Sequence, residues 1–167
     1  TVVDSTVAGD GGLGGLDGRL RAWLFRQGLP VRLPDPTATV GRLLAAAADD
    51  WDLVWLEKAL TIGAAEMAAL RRACPRAMIV GFSPDDMHVR HNQSAQFLEA
   101  LPHYDAFLTT KSYNVEELRS AGCPRVLFIG NGYDPEAFHP MPVSGADRAR
   151  LGGEVGFIGS HERERAD

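Results

Sequence analysis

The chain has 167 residues, 45% of them hydrophobic and 23% charged, with a formal net charge of -5. That is enough for one soluble domain with a real core. Its mixed, net-negative charge argues against nucleic acid as the main partner, because phosphate binding wants a basic face. No apolar run approaches the ~20 residues of a membrane span. The opening "TVVDSTVAGD" has neither the basic flank nor the long apolar core of a signal peptide. The expected location is therefore the cytoplasm, with Cys74 and Cys123 as reduced, partly buried thiols.

In chain order the pattern predicts strands at Thr1–Val3, Pro30–Leu33, Asp52–Glu57, Ala77–Phe82, Asp105–Thr110 and Arg125–Ile129. Helical patterns lie between them at Asp17–Gln27, Thr37–Ala48, Ile62–Ala73, Asn92–Leu101 and Asn114–Ala121. Most strands are continuous apolar runs ("LVWL", "AMIVGF", "VLFI"), the pattern of a parallel sheet covered on both faces. The expectation is an α/β, Rossmann-like, doubly wound and mostly parallel sheet of about six strands with helices on both faces. Gly28 and Gly122 mark helix stops, Pro75 and Pro124 follow helix ends, and Ser112 or Asn114 is placed to cap the last of these helices. The stretch "HPMPVSGADRARLGG" reads as a linker. The domain expectation is therefore a first domain over residues 1–140, a linker over 141–153, and the start of a second domain over 154–167.

Ligands bind outside the carboxyl ends of the strands in an open parallel sheet. Those ends carry "GDGGLGG", Glu57-Lys58, "SPDDMHVRH", "TKSYN" and "GNGYDPEAFHP". Gly9, Gly11 and Gly14 fit a dinucleotide fingerprint with Asp35 downstream, but five residues separate the glycines from the first strand, so the physics fits poorly. Asp85, Asp86, His88 and His91 have the chemistry of metal ligands. Alternatively Asp85 or Asp86 would serve as a base on a sugar hydroxyl, its pKa raised by the like-charge neighbour. The plainer reading is a turn whose carboxylates bond backbone amides. Glu57 and Lys58 point to opposite faces, so one reaches the cleft. Lys111 would neutralise a phosphate or carboxylate, Asn131 and Asp134 would bind ligand or close a turn, and Phe138 would pack.

"IGNGYDPEAFHP" resembles the "NGVD…F.P" segment that closes the N-terminal domain of GT-B glycosyltransferases, especially the retaining group numbered family four. The order of "GDGGLGG", "RQGLPVR" and "SYNVEELRSAG" agrees, and "FSPDD" together with "FLEALPHYDAFLTTKSYNVEELRSAGCPRVLFIGNGYDPEAFHP" looks most like the spore-maturation-protein-type branch. "EVGFIGS" resembles the first strand and glycine turn of the C-terminal domain. The resemblance implies the N-terminal, acceptor-side half of a GT-B enzyme that transfers a sugar from a nucleotide-sugar to an unidentified acceptor. No metal or other cofactor would be bound obligatorily. Most of the donor would be held by the C-terminal half, of which only the beginning is here, so the chain alone is expected to be inactive.

Carried over by position, Gly11, Gly12, Gly14 and Gly15 would approach the donor diphosphate or the acceptor. Glu57, Lys58, Lys111, Ser112, Asn131, Tyr133 and Asp134 complete the substrate-side set. Asp85, Asp86 and His88 are the catalytic candidates. They depart from the family, where many relatives have a histidine at the Asp85-Asp86 position; here His88 lies two residues beyond. Two other classes compete: a non-catalytic α/β ligand-binding or regulatory domain, and an NAD(P)-binding oxidoreductase domain.

Overall fold

The structure is a computed structural model that describes residues 1–3, 15–35, 37–49, 51–87, 89 and 92–153. The chain divides between Asn131 and Gly132 into two compact units. The first unit contains helices α1 (Gly15–Arg26), α2 (Thr39–Ala46), α3 (Ala64–Ala73), α4 (Ala95–Ala100) and α5 (Asn114–Ser120). Its strands are β1 (Leu53–Glu57), β2 (Met78–Ser83), β3 (Ala106–Thr109) and β4 (Val126–Phe128), and a single 3-10 turn, Leu101–His103, extends α4.

The α/β class and the parallel sheet follow the expectation. Among the described residues, however, the sheet has four strands in the order β1-β2-β3-β4, not about six. Thr1–Val3 and Pro30–Leu33 form no strands. The second segment has a local reason. Pro30 offers no amide proton, and Gln96 occupies the polar groups of Leu33, accepting from its N–H at 2.9 Å and donating to its carbonyl at 2.7 Å. The Ala95 amide donates to the Val31 carbonyl, and Arg32 pairs with Glu99. The segment is thus bound to α4 instead of to a strand.

Register explains which strand residues make the core. Val54, Leu56, Ile79, Gly81, Phe107 and Val126 share one face. The bulky ones among them cluster with Met67 and Leu70 of α3, Phe97 of α4 and Leu118 of α5, all buried. Among the described residues the three crossover helices α3, α4 and α5 lie on this face. Gly81 has no room for a side chain, because a Cβ there would lie 2.3 Å from the Phe107 ring and 2.9 Å from that of Tyr104. Gly28 and Gly122, at φ 80° and 105°, end their helices in the left-handed region that the sequence assigned to them. Both cysteines are free and buried.

Described by itself, the second unit carries α6 (Gly145–Leu151) inside the stretch read as a linker. Ser144 caps it, accepting from the Asp147 amide at 3.0 Å. Phe138 is 70% exposed, so the packing role expected for it is not observed among the described residues.

Candidate functional site

The core turns polar at the carboxyl ends of the strands. Ser83 and Thr109, partners in register, are both fully buried, and so is Asn114 at the start of α5. Ser83 Oγ accepts from the Asp85 amide at 3.2 Å, and Thr109 Oγ1 from the Lys111 amide at 3.1 Å. These hydroxyls turn the chain sharply as it leaves each strand and keep buried backbone donors satisfied. Thr110 then ties the two loops together by donating to the Pro84 carbonyl at 3.0 Å.

Asn114 joins the loops more firmly. Its Oδ1 accepts from the Met87 amide at 2.8 Å, and its Nδ2 donates to Asp86 Oδ1 at 2.9 Å and to Glu117 Oε2 at 3.1 Å. The Tyr113 hydroxyl also bonds Asp86, and its pKa is raised by desolvation, by that bond, and by the charges of Asp86 and Glu117. From the other side Asn92 Nδ2 holds the Asp86 carbonyl at 2.8 Å, and Gln93 Nε2 holds that of Met87 at 2.6 Å. The loop is fixed from both flanks.

Lys58 follows β1 with φ 42°, a left-handed conformation that costs a non-glycine residue on the order of 1–2 kcal/mol. Its amide donates to the Phe82 carbonyl at 2.8 Å, and its ammonium pairs with Asp85 Oδ2. That turn aims Lys58 across the top of β2. Lys111, half-buried after β3, has no carboxylate partner among the described residues. The site therefore brings a neutralised Lys58–Asp85 pair, a second carboxylate on amide and phenol donors, and one available cation to one edge of the sheet. Such a set can accept hydrogen bonds from ligand hydroxyls and hold an anionic group.

Of the sequence candidates, Lys58, Asp85, Asp86 and Lys111 come together here. Glu57 is exposed on the opposite face of the sheet from Leu56 and lines a cavity along β1 with Lys58. Ser112 is exposed, and neither it nor Asn114 caps α5, whose cap position is Tyr113 without a side-chain bond. Asn131 is exposed at the end of the first unit. In the second unit Tyr133 is 74% exposed, and Asp134 closes its own turn by accepting from the Glu136 amide at 2.9 Å. Gly11, Gly12, Gly14, His88 and His91 lie outside the described residues, and of Gly15 only the backbone, which opens α1, is described. No group of three metal-ligating side chains occurs among the described residues. No helix among them is long and apolar enough to cross a membrane.

One reading gains partners and one changes. Among the described residues the carboxylates of Asp85 and Asp86 bond side chains of Lys58, Asn114 and Tyr113. Asp35, the residue a dinucleotide fingerprint would put on a ribose, instead caps α2. It accepts from the Thr39 and Val40 amides at 2.9 and 2.8 Å. Burial pushes its pKa up, but the Val40 and Thr39 amides and the hydroxyls of Thr39 and Thr37 outweigh this and hold it below the usual value. The sequence reading missed Asn114 and Tyr113 as site residues. The signal available was an Asn at a helix start just past the carboxyl end of a buried strand. Comparison with protein-family profiles, with curated proteins and with solved structures found no match.

Proposed function

We propose that this chain is the N-terminal, acceptor-side part of a GT-B-type glycosyltransferase that moves a sugar from a nucleotide-sugar to an acceptor hydroxyl. The observation that carries the reading is the convergence of Lys58, Asp85, Asp86 and Lys111 at the carboxyl edge of a parallel sheet. Carboxylates held in fixed positions suit the recognition of sugar hydroxyls, and Asp85 keeps one oxygen without a partner among the described residues. Lys111 supplies positive charge for an anionic group on donor or acceptor. The "NGYDPEAFHP" segment supports the same reading by its resemblance to the family. A donor-binding half beyond Asp167 belongs to this proposal, as does the absence of an obligatory metal.

The engagement of both carboxylates by neighbouring side chains favours a second reading, a non-catalytic α/β ligand-binding or regulatory domain. Titration with UDP-, GDP- and dTDP-sugars and with NAD(P), followed by calorimetry, separates these. The enzyme reading expects nucleotide-sugar binding by a chain extended past Asp167, turnover by that longer chain, and loss of turnover in Asp85→Asn or Asp86→Asn. Binding that is retained without any turnover moves the assignment to the non-catalytic domain. Tight NAD(P) binding by residues 1–167 overturns the glycosyltransferase proposal.

A further inference from the structure

Tyr113 is 55% exposed, yet a chain of polar links ties it to the interior. Its hydroxyl bonds the Asp86 carboxylate, and Asp86 Oδ1 accepts from Asn114 Nδ2 at 2.9 Å. Asn114 is fully buried and accepts in turn from the Met87 amide at 2.8 Å. The ring takes no part in the buried core cluster, where the tyrosine is Tyr104. A free surface side chain gives up rotamer entropy when a ligand lands on it, whereas a tethered one has already given it up. Tyr113 is therefore an exposed aromatic surface prepared for contact.

The surroundings decide what kind of contact. Residues 84–87 and 110–114 run side by side, pinned at one end by Thr110 on the Pro84 carbonyl and at the other by Asn114 on Asp86 and Met87. Asp85, Asp86, Lys111, Ser112 and Tyr113 thus share one patch, with Ser112 and Tyr113 exposed. The Asp85 side chain is 44% exposed, and its Oδ2 pairs with the Lys58 ammonium. A carboxylate has about four acceptor sites, more than one ammonium fills. Lys58 and Lys111 offset two of the three carboxylates of Asp85, Asp86 and Glu117, which leaves little net charge to hold a cation. A neutral ligand rich in hydroxyls suits this patch better. The electron-rich face of an aromatic ring meets the weakly positive C–H groups of a sugar ring, and the carboxylates beside it accept from the sugar's hydroxyls.

The geometry points to Tyr113 as a platform on which a neutral carbohydrate ring packs, with Asp85 accepting hydrogen bonds from that sugar's hydroxyls. Read as the seat of the acceptor, the platform rests on the glycosyltransferase proposal and makes that acceptor a carbohydrate. Read as a binding surface alone, it stands without that proposal.

Nuclear magnetic resonance on the 167-residue chain tests it, with the methyl glycosides of glucose, galactose, mannose and N-acetylglucosamine as neutral probes. Uridine and tetramethylammonium serve as rivals for an aromatic face. At least one glycoside should shift the Tyr113 ring protons in a saturable way at concentrations up to about 100 mM. Tyr113→Ala should weaken that binding about 3- to 10-fold without changing the urea midpoint by more than an ordinary surface substitution does. Tyr113→Phe keeps the ring but cuts its tether, so its loss should be the smaller of the two. Silence of the ring protons with all four glycosides overturns the platform, as does unchanged affinity in Tyr113→Ala. Equal losses in Tyr113→Phe and Tyr113→Ala overturn the stacking, because they assign the effect to the hydroxyl. Stronger binding of uridine or tetramethylammonium than of any glycoside overturns the carbohydrate class. The two proposals fail separately. Glycoside binding here without turnover by a chain extended past Asp167 sinks the enzyme and keeps the platform. Turnover by that longer chain with a silent Tyr113 does the reverse.

Discussion

Replacing Asn114 with alanine isolates the link that fixes the loop after β2. Asn114 is fully buried, and its Oδ1 is the acceptor for the buried Met87 amide at 2.8 Å. Leaving that amide without a partner costs about 1–3 kcal/mol. Loss of the two bonds to Asp86 and Glu117 adds less, because those carboxylates are only partly buried and regain water. The expected total for Asn114→Ala is about 2–4 kcal/mol, or roughly 1–2 M in the urea midpoint at a slope near ~2 kcal/mol per M. Asn114→Asp sharpens the test. The introduced carboxylate still accepts from Met87, but it sits against two other carboxylates and its pKa rises. The variant should be strongly destabilised at pH 7 and recover toward pH 4, as the added group takes up a proton. Urea unfolding followed by tryptophan fluorescence measures both variants. A loss below ~0.5 kcal/mol for Asn114→Ala, within the range of an ordinary surface change, would refute the reasoning, as would a flat pH response for Asn114→Asp.

Lys58→Gly should be more stable than Lys58→Ala by about 1 kcal/mol, since both lose the half-exposed ion pair but only glycine accepts φ 42° freely. Equal urea midpoints would remove the case for backbone strain there. Gly81→Ala should cost about 1–3 kcal/mol or more by driving a methyl into Phe107, read as a drop in melting temperature. The Asp105 carboxyl is pushed up by burial, but the Ile79 amide and Arg71 outweigh this and hold its pKa below the usual value. Its stabilising effect is therefore present in full above the ordinary carboxylate pKa of ~3.9 and lost as pH falls through the lower folded value. Urea midpoints of the parent and Asp105→Asn should differ at pH 6–7 and converge at the acid end. A constant gap would contradict this.

Much of the fold was legible because it is written locally. Continuous apolar runs located β1 to β4 within a residue or two, and Gly28 and Gly122 ended helices where their left-handed backbone shows them to. Thr1–Val3 and Pro30–Leu33 were misread for the opposite reason. A strand exists only through its partner, and the backbone groups of Leu33 are taken by a side chain 63 positions away. The site divides in the same way. Its carboxylates and lysines were visible as loop residues at strand ends, because a parallel sheet brings such loops to one edge. Their pairing was not visible, since Lys58 with Asp85 and Asn114 with Asp86 each span more than two dozen residues. Asn114 looked like a helix cap from its neighbours; only the fold turns it inward.

The attachment of residues 31–33 to α4 has a mechanical meaning. The Gln96 amide, the Ala95 amide and Glu99 hold the segment as three pins on one short helix, where a sheet would have sewn it along its length. Pins release together when their carrier shifts, whereas a seam must be unpicked stitch by stitch. Residues 31–33 therefore take their position from α4, and any change that displaces α4 acts on them without passing through the β1–β4 seams.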